Sequence, residues 1–154
     1  MTLSVPAEAS DSVRNFFHNL CDRLGFSLVS ATYAPAAFGN IRIIAKDRTL
    51  GFDYRLDRGD ESVFVVVGDT EYAIEDAAHL IGTQLPCNID IRQQQTWILD
   101  HARELRQVLQ LRGVEAVREV LEASRLERLH RMFPGSIGEE TGTGPVVGED
   151  IDRA

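Results

Sequence analysis

The residues able to do chemistry in this chain are four histidines, two cysteines and a scatter of carboxylates, and their spacing limits what they can do. His18, His79, His101 and His130 fall in separate segments without a His-Glu-x-x-His spacing, and Cys21 and Cys87 form no Cys-x-x-Cys pair. No metal-ligand pattern results, and no cofactor is expected. Asp100, His101 and Glu104 could be drawn as an acid-base cluster, but at helical spacing beside Trp97 they read as an exposed helix face. A cysteine nucleophile needs a base and an oriented oxyanion site. Cys21 sits in a helical pattern, where a small buried thiol is commonplace, and Cys87 follows Pro86 in a loop as the more exposed thiol. Gly138, Gly142, Gly144 and Gly148 have no preceding strand and no Gly-Lys-Ser/Thr, so they form no phosphate cradle. The chain therefore reads as non-enzymatic. The alternative is a site assembled in space from Arg55, His79, Cys87 and His101, which requires a polar pocket holding two of them within hydrogen-bond reach.

The charged groups with the clearest order lie between Phe38 and Gly68. Leu50, Phe52, Tyr54 and Leu56 alternate with Gly51, Asp53, Arg55 and Asp57, the period of a half-buried strand with a core face and a charged, solvated one. Arg42 on the neighbouring strand is expected to join that charged face. Asp57-Arg58-Gly59-Asp60 follows as a tight turn, and its Arg-Gly-Asp tripeptide is explained by glycine's access to positive φ and by aspartates that accept local backbone hydrogen bonds. Cross-strand charge pairs contribute only about 0.2–1 kcal/mol each, so stability alone scarcely demands such a row. Asp53, Arg55, Asp57, Asp60 and Glu61 are accordingly the candidate partner-binding residues.

The elements that must position them are legible in order. Ser10 or Asp11 caps a first helix whose Val13, Phe16, Phe17, Leu20 and Leu24 recur at helical spacing, and Gly25 with Phe26 ends it. Phe26–Tyr33 reads as a strand that Pro35 confines to an edge, and Phe38-Gly39-Asn40 turns the chain into Ile41–Ala45. Lys46–Thr49 has hairpin length, and Val63–Val67 is apolar on both faces, as a central or covered strand would be. Connections this short make neighbouring strands antiparallel, giving a meander of three to five strands with Glu71–Ile74 as its last, short member. Glu75–Gly82 is helical, and Asp90 with Gln93 is a capping pair for a long helix carrying Trp97, Ile98, Ala102, Leu105, Val108 and Leu109. Gly113 kinks or ends it before Val114, Val117, Val120 and Leu121 repeat the pattern. The expected fold is α+β: an N-terminal helix, an antiparallel β-meander, then C-terminal helices.

Residues 1–133 are expected to form one domain and residues 134–154 a disordered, acidic, glycine-rich tail. The formal charge of −8 disfavours nucleic acid as a partner, because phosphate binding needs a clustered positive footprint. Half of that charge belongs to the tail, where Glu139, Glu140, Glu149, Asp150 and Asp152 stand against Arg153 for a net −4. No apolar run approaches the roughly 18–20 residues of a membrane span. With no basic, apolar leader at the N-terminus and only two cysteines, the expected location is the cytoplasm.

Leu24-Gly25-Phe26, Phe38-Gly39-Asn40 and Asp57-Arg58-Gly59 before a Val/Phe strand make residues 13–67 resemble short bacterial immunity-type proteins of toxin systems. The resemblance implies neutralisation of a cognate, basic toxin domain by direct binding, with Asp53, Asp57, Asp60 and Glu61 as exposed contacts. It leaves the long C-terminal helices without a counterpart and assigns no functional residues. Two other readings stand beside it: the enzyme or small-molecule site assembled from scattered groups, and a structural subunit that forms a homodimer through the Asp90–Leu111 helix.

Overall fold

The structure, a computed structural model, describes residues 2–86 and 88–135. Cys87 and the expected tail from Ser136 onward lie outside the described residues. Helix α1 spans Asp11–Asp22, and Ser10 caps it by accepting a hydrogen bond from the Val13 amide at 3.2 Å. Strands β1 (Ser27–Ala34), β2 (Asn40–Lys46), β3 (Leu50–Asp57), β4 (Asp60–Val67) and β5 (Thr70–Tyr72) follow, with a 3-10 turn at Pro35–Ala37. They form one antiparallel sheet in the order β1-β2-β3-β4-β5. Helices α2 (Ile74–Leu80), α3 (Ile91–Arg112) and α4 (Val114–Met132) complete the chain. The α+β architecture read from the sequence is the one observed. Among the described residues, no helix is long and apolar enough to cross a membrane.

One face of the sheet carries the core. Ile41, Ile43 and Ala45 of β2, Leu50, Phe52 and Tyr54 of β3, and Val63, Val65 and Val67 of β4 are buried with Val13, Phe16, Phe17 and Leu20 of α1 and Trp97, Ile98, Ala102, Leu105 and Leu109 of α3. Aromatic edges meet face-on contacts within it, Phe26 against Phe52 at 5.4 Å and Phe17 against Tyr54 at 6.4 Å between ring centroids. The apolar stripe of α3 is thus buried inside the molecule, while Leu111 near its C-terminal end is exposed. Its N-terminus shows the expected reciprocal cap, with Asp90 accepting from the Gln93 amide at 2.8 Å and Gln93 Oε1 from the Asp90 amide at 2.9 Å.

Two polar braces tie the helices down. Arg106 of α3 donates to Asp47 at 2.8 Å and to the Leu24 carbonyl at 2.6 Å while its guanidinium lies 4.5 Å from the centre of the Phe26 ring. A single side chain therefore holds the end of α1 and the β2–β3 turn against α3. Asp76 of α2 is buried and accepts from Ser124 at 2.9 Å and Arg128 at 3.0 Å, which clamps α2 to α4.

Gly113 ends α3 and opens α4 with φ of +85°, a conformation that favours glycine.

The assignment of faces has a direct test. Phe52→Ala removes a fully buried ring and is expected to cost about 3–5 kcal/mol. Phe64→Ala, on the other face and outside the core cluster, is expected to cost about 1 kcal/mol or less, its ring being only partly removed from water. Urea denaturation of the two variants measures both.

Candidate functional site

The second face of the sheet has no helix over it among the described residues, and its side chains fall into rows set by the strand register. Ser27, Lys46, Gly51, Val66 and Glu71 form one row across all five strands; Ser30, Ile44, Asp53 and Phe64 form the next, and Thr32, Arg42, Arg55 and Ser62 the third. Asp53 therefore sits at the centre, between Ile44 and Phe64, with two arginines in the adjoining row.

The sequence reading placed Asp53 among exposed contacts, and the structure corrects this: the residue is 0% exposed. Arg42 reaches it with Nε at 3.2 Å and Nη2 at 2.7 Å, and Arg55 reaches it with Nη2 at 2.9 Å. Both arginines also engage Glu71 of β5, Arg42 at 3.2 Å and Arg55 in a closer contact. The Arg55 guanidinium lies over the Phe64 ring, 4.7 Å from its centre, and its Nε is buried without an acceptor. A buried carboxylate is tolerable only when it is paired and hydrogen-bonded, and the two guanidinium groups, with side chains 48% and 33% exposed, supply that pairing while keeping contact with water.

The two acids of this cluster titrate in opposite directions. Burial by itself pushes the Asp53 carboxyl up, but the hydrogen bonds from Arg42 and Arg55 outweigh it and hold the group below the usual carboxylate range. Glu71 is raised, first by burial and then by its direct interaction with the Asp53 carboxyl, which together outweigh the pull of the two arginines. Arg42 is held more firmly protonated by its bond to Asp53.

Lys46, the chain's one lysine, closes the other end of this face. Its Nζ donates to the Gly68 carbonyl at 2.8 Å, so its stem lies across β3 above Gly51. A Cβ at position 51 would stand 2.5 Å from Lys46 Cγ and 3.0 Å from the Ala45 carbonyl oxygen, which is why this strand position carries glycine. The lysine stem lies in the same row as Val66 and accounts for that valine's burial on an otherwise open face.

The remaining predicted residues gather at one end of the sheet, where the β1–β2 and β3–β4 connections meet. Asp57 and Asp60 are a cross-strand pair flanking the turn, and both are exposed with Glu61. Asn40 bridges the two connections, donating to Asp57 at 3.0 Å and accepting from the Arg58 amide at 2.9 Å. Phe38 and Arg58 both hold left-handed backbone, φ +62° and +55°, and the Arg58 guanidinium lies 5.3 Å from the centre of a Phe38 ring that is 78% exposed. Glu61 accepts from the buried Tyr54 hydroxyl at 2.7 Å, and burial with this carboxylate raises the Tyr54 pKa. The five candidate residues thus divide into two sets. Asp53 and Arg55 belong to the paired cluster in the middle of the face; Asp57, Asp60 and Glu61 belong to the tip. Sequence reasoning missed Glu71, Lys46 and Asn40, whose roles depend on register across three or four strands, and missed Phe38, whose exposure a hydrophobic pattern does not signal.

The groups considered for an assembled active site are on separate elements. Arg55 is in the sheet cluster, His79 is on α2, and His101 stacks on Trp97 at 4.6 Å with Nδ1 2.8 Å from the Trp97 carbonyl. Because a carbonyl only accepts, Nδ1 carries the proton in that contact. His101 lines an open groove of about 440 Å³ with Leu85, Ile89, Arg92, Trp97 and Asp100. Among the described residues no group of three or more His, Cys, Asp or Glu is placed to hold a metal ion. The chain matches no protein-family model, and no curated protein or solved structure matches it.

The ion-pair cluster makes stability depend on pH in a way that separates its two acids. Asp53 stabilises the fold above its unfolded value of about 3.9, and this contribution is lost as the pH falls through its lower folded value. Glu71 does the reverse, opposing folding at neutral pH and ceasing to do so as the pH falls through its raised value toward about 4.3. Asp53→Asn is expected to lower stability at neutral pH by about 1–3 kcal/mol, less than for a fully buried pair because both arginines keep contact with water, and to flatten the acid limb. Glu71→Gln is expected to raise neutral stability and leave the acid limb in place. Urea midpoints measured between about pH 7 and pH 2 distinguish the two.

Proposed function

We propose that this chain is a non-catalytic protein-binding domain that engages a partner through the tip formed by Phe38, Asn40, Asp57, Arg58, Asp60 and Glu61. The observation that carries this reading is the bracing of two turns by Asn40 beneath an exposed Phe38 and Arg58 pair. Left-handed backbone at a phenylalanine is unfavourable, and a bulky aromatic ring held out to water in that conformation gains nothing for the fold. Aromatic and arginine side chains are also the types that anchor protein interfaces. Around this anchor the exposed acids Asp57, Asp60 and Glu61 favour a partner with a basic surface, and complementary charge of this kind acts mainly on association rate and selectivity. The resemblance of residues 13–67 to immunity-type proteins supports a basic toxin domain as the class of partner, with neutralisation by occlusion. A cytoplasmic site of action fits that role.

The test is capture from the native host followed by titration of the captured protein against variants. Phe38→Ala is expected to weaken binding at least tenfold through faster dissociation, the typical effect of truncating an anchor. The variant Asp60→Lys is expected to slow association and to reduce its dependence on salt. Both variants should keep the wild-type unfolding midpoint within about 0.5 kcal/mol, since these side chains lie on the surface. Undiminished binding by both would show that the tip is not the contact.

A further inference from the structure

The open sheet face itself is not explained by a tip-binding role, and its residues suit one occupant. We infer that this face is the interface of a homodimer, packed sheet against sheet with a second copy of the chain. Three features lead there, all independent of the reading of the tip.

The first is charge. Outside the tip, the face carries Arg42, Lys46 and Arg55 against Asp53 and Glu71, three bases to two acids, on a chain whose formal charge is −8. Two copies repel one another over most of their surface, and a nearly neutral face with both signs is where they can meet. At its centre Asp53, Glu71, Arg42 and Arg55 already neutralise one another within the chain, so contact does not bury an unpaired charge.

The second is the placement of the apolar side chains. Ile44 and Phe64 share one row, on either side of Asp53, with β3 between them. A two-fold axis running along β3 therefore sets Ile44 of one copy against Phe64 of the other, and the same contact is repeated by symmetry. Aligned sheets pack with their strand directions within about 30° of each other, so the twist of the sheet does not disturb this pairing. Neither residue belongs to the core cluster, and both are half-buried without any helix over them.

The third is area. Four strands spaced about 4.8 Å apart and about 25 Å long offer roughly 500 Å² of flat face per copy, or roughly 1,000 Å² in all. That is the size at which a specific but dissociable interface becomes possible. The resulting dimer is α/β/β/α in layers, and the tip at the ends of β2, β3 and β4 stays outside the interface in both copies.

Sedimentation equilibrium and size exclusion with light scattering on the full chain test this. A concentration-dependent dimer of about 34 kDa, twice the 17.2 kDa of one chain, is expected. Phe64→Asp should return it to the monomer mass. Ile44→Lys provides a second variant whose new ammonium lies beside Asp53 and so favours folding, and it should do the same. Leu111→Lys and Leu126→Lys, at exposed apolar positions on α3 and α4, should leave the dimer intact. In a background with Cys21 and Cys87 replaced by serine, oxidation of an equimolar mixture of Ile44→Cys and Phe64→Cys chains should give the mixed disulfide in preference to either symmetric one. A monomeric wild type up to about 100 μM, ample for an interface of this size, would overturn the inference. So would a dimer that survives both face variants, or one abolished by the helix variants.

Discussion

The carboxylate of Asp53, buried beneath Arg42 and Arg55, is the constraint on which the two-sided character of the sheet depends. A strand in the middle of a sheet must place every second side chain on each face. On the core side β3 places Leu50, Phe52 and Tyr54, which pack under the helices without difficulty. On the other side it places a carboxylate in a position that lateral neighbours and overlying arginines close off from water. That charge is sustained by guanidinium groups arriving from β2 and from two residues along β3, and their remaining donors reach Glu71 on β5. A cluster built this way ties together β2, β3 and β5, the last of which is only three residues long and has few backbone hydrogen bonds of its own.

The cost of such a cluster limits what it can be for. Pairs of partly exposed ions contribute little to stability, and burying the acid removes part of what they gain. Leucine or valine at these positions would make a sheet of comparable stability, but also an open apolar face prone to indiscriminate association. A salt-bridged face interrupted by Ile44 and Phe64 is instead selective: it can be covered by a surface that supplies apolar contact at two points and does not strip the arginines of their acids. Lys46 works to the same end, since its stem shields Val66 and its ammonium is satisfied by the Gly68 carbonyl.

The order of helices and strands was legible because it rests on local signals: the serine cap, the Asp90 and Gln93 box, the alternation from Leu50 to Leu56, and glycines at turns. The candidate site was legible only in part. Alternation identified Asp53, Arg55 and Asp57 as one face but could not say that Asp53 would be sealed, because its burial comes from Arg42, eleven residues earlier, and from the pull of Glu71, eighteen residues later. Register across four strands determines those meetings, and register is a property of all the pairings together. Gly51 is the instructive case. In sequence it looks like a weak point in a strand, and in space it is the gap through which Lys46 crosses.

The same logic separates the two surfaces. At the tip, Asn40 follows the first turn and its side chain bonds Asp57 and Arg58 of the second, which holds the left-handed Arg58 in place with its guanidinium against the exposed Phe38 ring before any partner arrives. Pre-organisation of this kind lowers the entropy lost on binding and suits a contact that must form quickly and hold. On the face, by contrast, the groups satisfy one another, so nothing is gained by ordering them and little is lost by covering them. A surface of the first kind recognises something unlike itself. A surface of the second kind, nearly neutral and with Ile44 and Phe64 on either side of its central strand, is suited to meeting its own copy, and a dimer so formed would carry two ordered tips on one rigid body, making attachment to a partner with two sites an intramolecular step after the first contact.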